Sequence, residues 1–192
     1  MTDAKGALRN EILNKAVVHG KVILSSGKEA DYYVDLRRVT LDAVAAPLVG
    51  DVMLDLTADL DFDAVGGLTL GADPVATAML HAAAKRGRAL DAFVVRKAEK
   101  QHGLQRRIEG PDVQGRRVLA VEDPSPTGGS VMTAVEALRA EGAIVVGVAV
   151  IKSDALTVSD ALAADHRRQA FIVENSGLIS AHPDAALRFR TL

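Results

Sequence analysis

Apolar residues recur at Leu8, Ile12, Leu13, Ala16 and Val17, close to the repeat of one helix face, and predict an amphipathic helix over residues 3–18. His19-Gly20 reads as a turn, residues 22–24 as a short strand, Ser25-Ser26-Gly27 as a turn and 32–36 as a second strand. A longer helix is expected over 41–57, with Leu41, Val44, Ala45, Leu48, Val52 and Leu56 along one side. From residue 64 the period changes. Short Val-, Leu- and Ala-rich runs at 64–68, 92–95, 117–121, 145–151 and 170–173 predict buried strands. Between them, 74–85, 129–141 and 155–164 carry helical spacing, with Pro74 near a helix start and Gly142 at a helix end. Buried strands alternating with such helices imply βαβ units around a parallel sheet. The expected fold class is α/β, a doubly wound parallel sheet, in one domain over residues 1–192 with its core at 60–175. Residues 97–114 break the rhythm: they are polar, charged and aperiodic, and long unstructured connections in compact domains are commonly lids over active sites.

Composition narrows the classes. With 48% hydrophobic residues and 23 Lys+Arg against 25 Asp+Glu, the chain can build a full core, which excludes a disordered protein. A sequence pI near 6.2 argues against a dedicated nucleic-acid binder. The chain has no cysteine, so disulfide frameworks, thiolate zinc sites and cysteine nucleophiles are excluded. His19, His81, His166 and His182 are scattered without metal-ligand spacing, and no metal site built by the protein alone is expected. No run of about 18 apolar residues exists and no apolar leader follows Met1, so a cytoplasmic protein without membrane contact is expected.

Chemistry in an open parallel sheet sits beyond the carboxyl ends of the strands. Three strand ends stand out. Residues 118–121 lead into two adjacent carboxylates, Glu122 and Asp123, and then into Pro124-Ser125-Pro126-Thr127-Gly128-Gly129-Ser130 before a helix. A glycine loop opening a helix is suited to phosphate, because free N–H groups and the positive end of the helix dipole face the anion. Thr127 and Ser130 add hydroxyl donors, and the paired carboxylates suit ribose hydroxyls or the waters of a magnesium ion. It is neither a Walker A loop nor a Gly-x-Gly-x-x-Gly dinucleotide loop. The second segment, 96–107, holds Arg96, Lys97, Lys100, Arg106 and Arg107 with His102 and a single Glu99, a composition for pyrophosphate capture. The third, Gly66-Gly67-Leu68-Thr69-Leu70-Gly71-Ala72-Asp73-Pro74, is another glycine-rich strand-to-helix turn. Together they fit a ribose carrying phosphate at one end and diphosphate at the other.

Residues 118–130 resemble the phosphoribosyl-diphosphate signature of type I phosphoribosyltransferases. Arg96-Lys97-x-x-Lys100-x-His102-Gly103 resembles the catalytic loop of the orotate phosphoribosyltransferase family. Residues 24–35 resemble that family's N-terminal hood over the base, placing a hood at residues 1–40, and 66–76 resemble its actinobacterial branch. The likeness runs from about residue 10 to about residue 150. It implies transfer of phosphoribosyl from phosphoribosyl diphosphate to orotate, with Mg2+ bound alongside the diphosphate. It also implies a homodimer whose subunits each send the basic loop to the partner's site. By the resemblance, Lys100 and Asp123 are catalytic, and Arg96, Lys97 and His102 contact the diphosphate. Glu122 joins Asp123 on the ribose hydroxyls, and Ser125, Thr127, Gly128, Gly129 and Ser130 hold the 5′-phosphate. Tyr33, one of six aromatic residues, reads either as stacking over the base or as packing within its strand.

The sequence departs from the family at the base. Pro126 stands where a threonine is usual, and proline brings neither hydroxyl nor N–H. Asp154, after Lys152 and Ser153, stands where an arginine for the orotate carboxylate is usual. Ser25 takes the place of a hood lysine. Two alternatives therefore stay open beside orotate transfer: a phosphoribosyltransferase for another base, and a non-catalytic sensor of phosphoribosyl diphosphate.

Overall fold

The computed structural model describes residues 3–23, 29–98, 107–123, 129–152, 170–174, 177–181 and 188–191. The N-terminal helix α1 spans Ala4–Glu11 and passes into one π-helical turn, Ile12–Ala16. The single helix expected over 3–18 ends there, because Val17 and Val18 begin strand β1, Val17–Ile23. β-Branched residues favour a strand where a partner is present, and β1 pairs antiparallel with β2, Glu29–Val34. The pairing matches Val17 with Val34 and Val18 with Tyr33 and shifts between His19 and Val22, around Gly20 at φ 148°. Both strands of this hairpin are longer than the runs expected at 22–24 and 32–36.

A four-residue helix α2, Arg37–Thr40, follows, and α3 spans Ala45–Leu56. The helix expected over 41–57 therefore starts four residues late. Asp42 Oδ1 accepts hydrogen bonds from the N–H groups of Val44 and Ala45 at 2.9 and 3.0 Å, opening α3 at that point. Leu41 and Val44, expected on the buried side, are exposed as a result.

The main sheet has eight strands: β3 (Ala64–Leu68), β4 (Asp91–Val95), β5 (Ile108–Glu109), β6 (Arg117–Glu122), β7 (Ile144–Lys152), β8 (Ala170–Glu174), β9 (Gly177–Ala181) and β10 (Arg188–Thr191). Their spatial order is β10-β9-β8-β7-β6-β3-β4-β5. The five strands β4, β3, β6, β7 and β8 are parallel. The expected parallel sheet is thus the centre of a mixed one, since β5, β9 and β10 join antiparallel at the edges. β5 lies inside the segment expected to be a structureless loop, and β9 and β10 extend the sheet past residue 175. The helix expected at 155–164 lies outside the described residues.

Both faces of the sheet are covered. Val65, Leu119, Val121 and Ala149 point to one face and pack with α3 and with α4, Ala72–Lys85, whose Val75, Ala76 and Met79 are buried. Ala64, Val118, Ala120 and Val148 point to the other and pack with α5, Gly129–Ala140, through Val131, Val135 and Leu138. Alternate residues of one strand thus feed two cores, which is why these runs read as continuously apolar. The crossover through α4 takes the chain from β3 to β4, and the next parallel strand, β6, lies on the opposite side of β3. Helices on opposite faces keep both crossovers right-handed. The point where chain direction reverses, between β3 and β6, is where ligands bind in such folds.

At the other end of the sheet, Arg116 ties three strands. Its Nη1 donates to Asp91 Oδ2 at 2.7 Å and its Nε to Asp63 Oδ1 at 3.1 Å. This fixes the amino ends of β3, β4 and β6 and leaves their carboxyl ends for chemistry.

Candidate active site

The carboxyl ends of β3 and β6 meet closely. An added Cβ at Gly67, in β3, would stand 2.7 Å from the Cβ of Ala72 and would overlap the carbonyl oxygen of Val121 in β6. Glycine at this position lets β3, β6 and the start of α4 close together. The Thr69 N–H donates to the Val95 carbonyl at 2.8 Å, anchoring the following turn to the end of β4.

Glu122 ends β6 and is only 6% exposed. Its carboxyl group accepts hydrogen bonds from the Ser130 hydroxyl and the Val131 N–H, both in the first turn of α5. The strand end thereby caps the helix, with a carboxyl group at the positive end of the dipole. Burial pushes the Glu122 carboxyl up to about 7, the neighbouring charge of Asp123 adds to the rise, and the two hydrogen bonds oppose it. Its Oε2 has no hydrogen-bond partner among the described residues. A buried carboxyl oxygen with spare capacity is suited to a hydroxyl donor from a ligand.

Asp123 stands next to it and is half-buried. Burial raises its pKa, the positive charge of Arg37 lowers it, and the charges of Asp35 and Asp73 raise it again. Four elements thus converge on one carboxyl group: the end of β6, the segment after β2, α2 and the first turn of α4. Asp73 Oδ2 accepts a hydrogen bond from the Thr69 hydroxyl at 2.7 Å, while Oδ1 is buried without a partner among the described residues. Burial raises Asp73 as well. Arg37 and Asp73 also line a cavity of about 680 Å³ with Thr40, Leu41, Leu70 and His81.

The basic segment is held at its two ends. The Arg96 N–H donates to the Arg107 carbonyl at 2.8 Å, and Arg107 Nε returns a bond to the Arg96 carbonyl at 3.2 Å. Arg96 Nη1 reaches Glu109 at 3.5 Å, and Lys97 is exposed. Lys100 and His102 lie outside the described residues, as do Ser125, Pro126, Thr127, Gly128 and Asp154. Gly129 and Ser130 open α5. Tyr33 lies in β2 opposite Val18, and Lys152 ends β7; of these two the backbone alone is described.

The structure brings Glu122, Asp123 and Ser130 together. It adds three neighbours that sequence reasoning gave no role: Asp35, Arg37 and Asp73. Asp73 carried a usable signal, an acid in the first turn of a helix that follows a glycine-rich strand end. Asp35 and Arg37 carried none, because only the fold places the end of the hood beside β6.

No protein-family model matches the chain. The chain is 72% identical over 164 residues to an orotate phosphoribosyltransferase of Streptomyces avermitilis, spanning 85% of this chain and 90% of that one. It belongs to the orotate phosphoribosyltransferase family. A crystal structure of the Mycobacterium tuberculosis orotate phosphoribosyltransferase in complex with Fe(III) dicitrate superposes with a TM-score of 0.78 at 52% identity, covering 90% of this chain and 95% of that one. A structure of the same enzyme in complex with 5-phospho-alpha-D-ribosyl 1-diphosphate gives a TM-score of 0.74 at 47% identity, covering 90% and 94%. The doubly wound sheet described above is this chain's version of the orotate phosphoribosyltransferase fold.

Proposed function

We propose that this protein transfers the 5-phosphoribosyl group of phosphoribosyl diphosphate to orotate, releasing pyrophosphate and orotidine 5′-monophosphate. The observation that carries the reading is the carboxyl pair Glu122–Asp123 at the switch point of the sheet, in a chain 72% identical to a named orotate phosphoribosyltransferase. In the reaction, the bond from ribose C1′ to the diphosphate oxygen breaks and its electron pair leaves with pyrophosphate. Orotate N1 forms the new bond to C1′, and the proton it held passes to the departing diphosphate.

Positive charge grows on the sugar and negative charge on the leaving group. Asp123 and Glu122 take the ribose hydroxyls, and the carboxylate of Asp123 favours the cationic sugar. Lys100, Arg96, Lys97 and His102 stabilise the departing diphosphate, where fixed cations act on charge that develops in the transition state. Arg96 would exchange Glu109 for the diphosphate. Gly129 and Ser130, at the amino end of α5, take the 5′-phosphate with Ser125, Thr127 and Gly128, which precede them in the chain, and Tyr33 covers the base. Closure of the basic segment would exclude the water that hydrolyses a sugar cation.

Among the described residues no group of three or more His, Asp or Glu is placed to hold a metal ion. An Mg2+ ion arriving with the diphosphate would find the half-buried carboxyl group of Asp123 as a partner for its waters. Bound there, it would neutralise charge on the leaving group. We place the enzyme in the cytoplasm as a homodimer with the basic segment shared across the interface; no helix among the described residues is long and apolar enough to cross a membrane.

The test is an assay with Mg2+, phosphoribosyl diphosphate and orotate, following loss of orotate absorbance, with uracil and the purine bases in parallel and pyrophosphate release as readout. Orotate turnover is expected, with Pro126 and Asp154 tolerated. Pyrophosphate release with another base only would replace orotate as the acceptor. Binding of phosphoribosyl diphosphate without release for any base would make the protein a sensor.

A further inference from the structure

Gly71 stands between β3 and α4, in the glycine-rich strand-to-helix turn. Its backbone, at φ −68° and ψ −38°, is one that any residue adopts. Backbone freedom therefore does not explain a glycine here. The space beside it does. A Cβ built on Gly71 would overlap the carboxyl carbon and Oδ1 of Asp123 and stand 2.7 Å from Oδ2. All three nearest atoms belong to that one carboxyl group. The carboxyl of Asp123 thus occupies the volume that a side chain at position 71 would fill.

We propose that Gly71 is a positioning residue for Asp123: the missing side chain creates the seat in which the carboxyl group rests. The proposal rests on the reading of Asp123 as the ribose ligand and adds what sets its position. The carboxyl group also accepts a hydrogen bond from the N–H of its own residue. Arg37 attracts it while Asp35 and Asp73 repel it, so charge alone leaves its direction divided. The seat at Gly71 gives it one place. A methyl group there would turn the carboxyl away by rotation about the Asp123 side-chain bonds, at little cost to the backbone. The change would fall on the ribose and spare the base.

The experiment compares wild type, Gly71→Ala, Asp123→Ala and the double variant. Binding of phosphoribosyl diphosphate is read by calorimetry, KM for each substrate by steady-state kinetics, and folding by thermal melting. For Gly71→Ala, binding of phosphoribosyl diphosphate is expected to weaken about tenfold or more, with KM for orotate within about twofold. Asp123→Ala should weaken binding similarly, and adding Gly71→Ala to it should change nothing further, since the group that collides is gone. A Gly71→Ala variant that binds within about twofold of wild type overturns the proposal, and so does an additive double variant. Should Gly71→Ala fold poorly, the double variant should regain the melting temperature of Asp123→Ala; failure to regain it also overturns the proposal. A wild-type protein that does not bind phosphoribosyl diphosphate would instead overturn the proposed function, and the melting comparison would still decide whether Asp123 sits in the seat.

Discussion

At the scale of single residues, the two carboxyl groups at the end of β6 are adjacent in sequence and unlike in surroundings. Glu122 is buried against α5 and is pushed up to about 7, chiefly by loss of water. In the unfolded chain it titrates near 4.5. Between these values the folded protein keeps a proton that the unfolded chain has lost, so this group's contribution to stability falls as pH rises from about 4.5 to about 7. The Glu122→Gln variant carries no such titration. Its melting temperature should therefore fall less than that of wild type as pH is raised through this window, and parallel curves would show that Glu122 is not the group concerned. Asp123 is half-buried, and in the proposed reaction its charge is the one offered to the ribose. The Asp123→Asn variant keeps the shape and removes the charge. Hydrogen bonds to charged groups contribute about 1.5–3 kcal/mol, so binding of phosphoribosyl diphosphate should weaken roughly tenfold to hundredfold. Calorimetry checks this, and unchanged affinity would remove Asp123 from the ribose.

At the scale of elements, the basic segment is tied to the edge of the sheet where it leaves and where it returns. The mutual Arg96–Arg107 hydrogen bonds and the short β4–β5 pairing hold both its ends. Lys100 lies between those ends in the chain. Lys100→Ala should cut kcat by about a hundredfold or more while leaving the melting temperature unchanged, because the loss falls on charge that develops in the transition state. Stopped turnover with an altered melting curve would make Lys100 a structural residue instead. The elements themselves were unequally legible. The α/β alternation from residue 64 to 151 was plain, since each strand feeds two cores and each helix one. The N-terminal third was harder. Apolar spacing carried the first helix through Val17, but the pairing of Val17 and Val18 with Val34 and Tyr33 makes them strand. Only tertiary contacts decide such a case. Leu41 and Val44 have helical spacing, yet the start of α3 is set by Asp42, which bonds the Val44 and Ala45 N–H groups and also accepts from Lys15 Nζ at 2.8 Å. A polar residue ahead of an apolar run was the signal there, and spacing alone concealed it.

At the scale of the whole molecule, the site is made by topology. β3 and β6 are far apart in the chain, and their ends become one site because the sheet reverses its winding between them. Chain order does not state that reversal, although the glycine turn after β3 and the acids after β6 were each visible. The edge strands were not, because β5 has two residues and Arg188-Phe189-Arg190-Thr191 offers only the brief alternation of an edge strand. The same logic of parts brought together from a distance extends to the assembly. If the basic segment of one subunit serves the acidic pair of its partner, each site needs two chains. Lys100→Ala alone and Asp123→Asn alone should each leave little turnover. In a mixed dimer one site combines both defects, and the other combines the intact acids of the Lys100 variant with the intact segment of the Asp123 variant. Random two-fold pairing makes half of the dimers mixed, so an equal mixture, dissociated and reassociated, should recover about a quarter of wild-type activity. Recovery should scale with the mixed-dimer fraction measured by native mass spectrometry of differently tagged chains. Verified mixed dimers with no more activity than their parents would show that each subunit closes its own site.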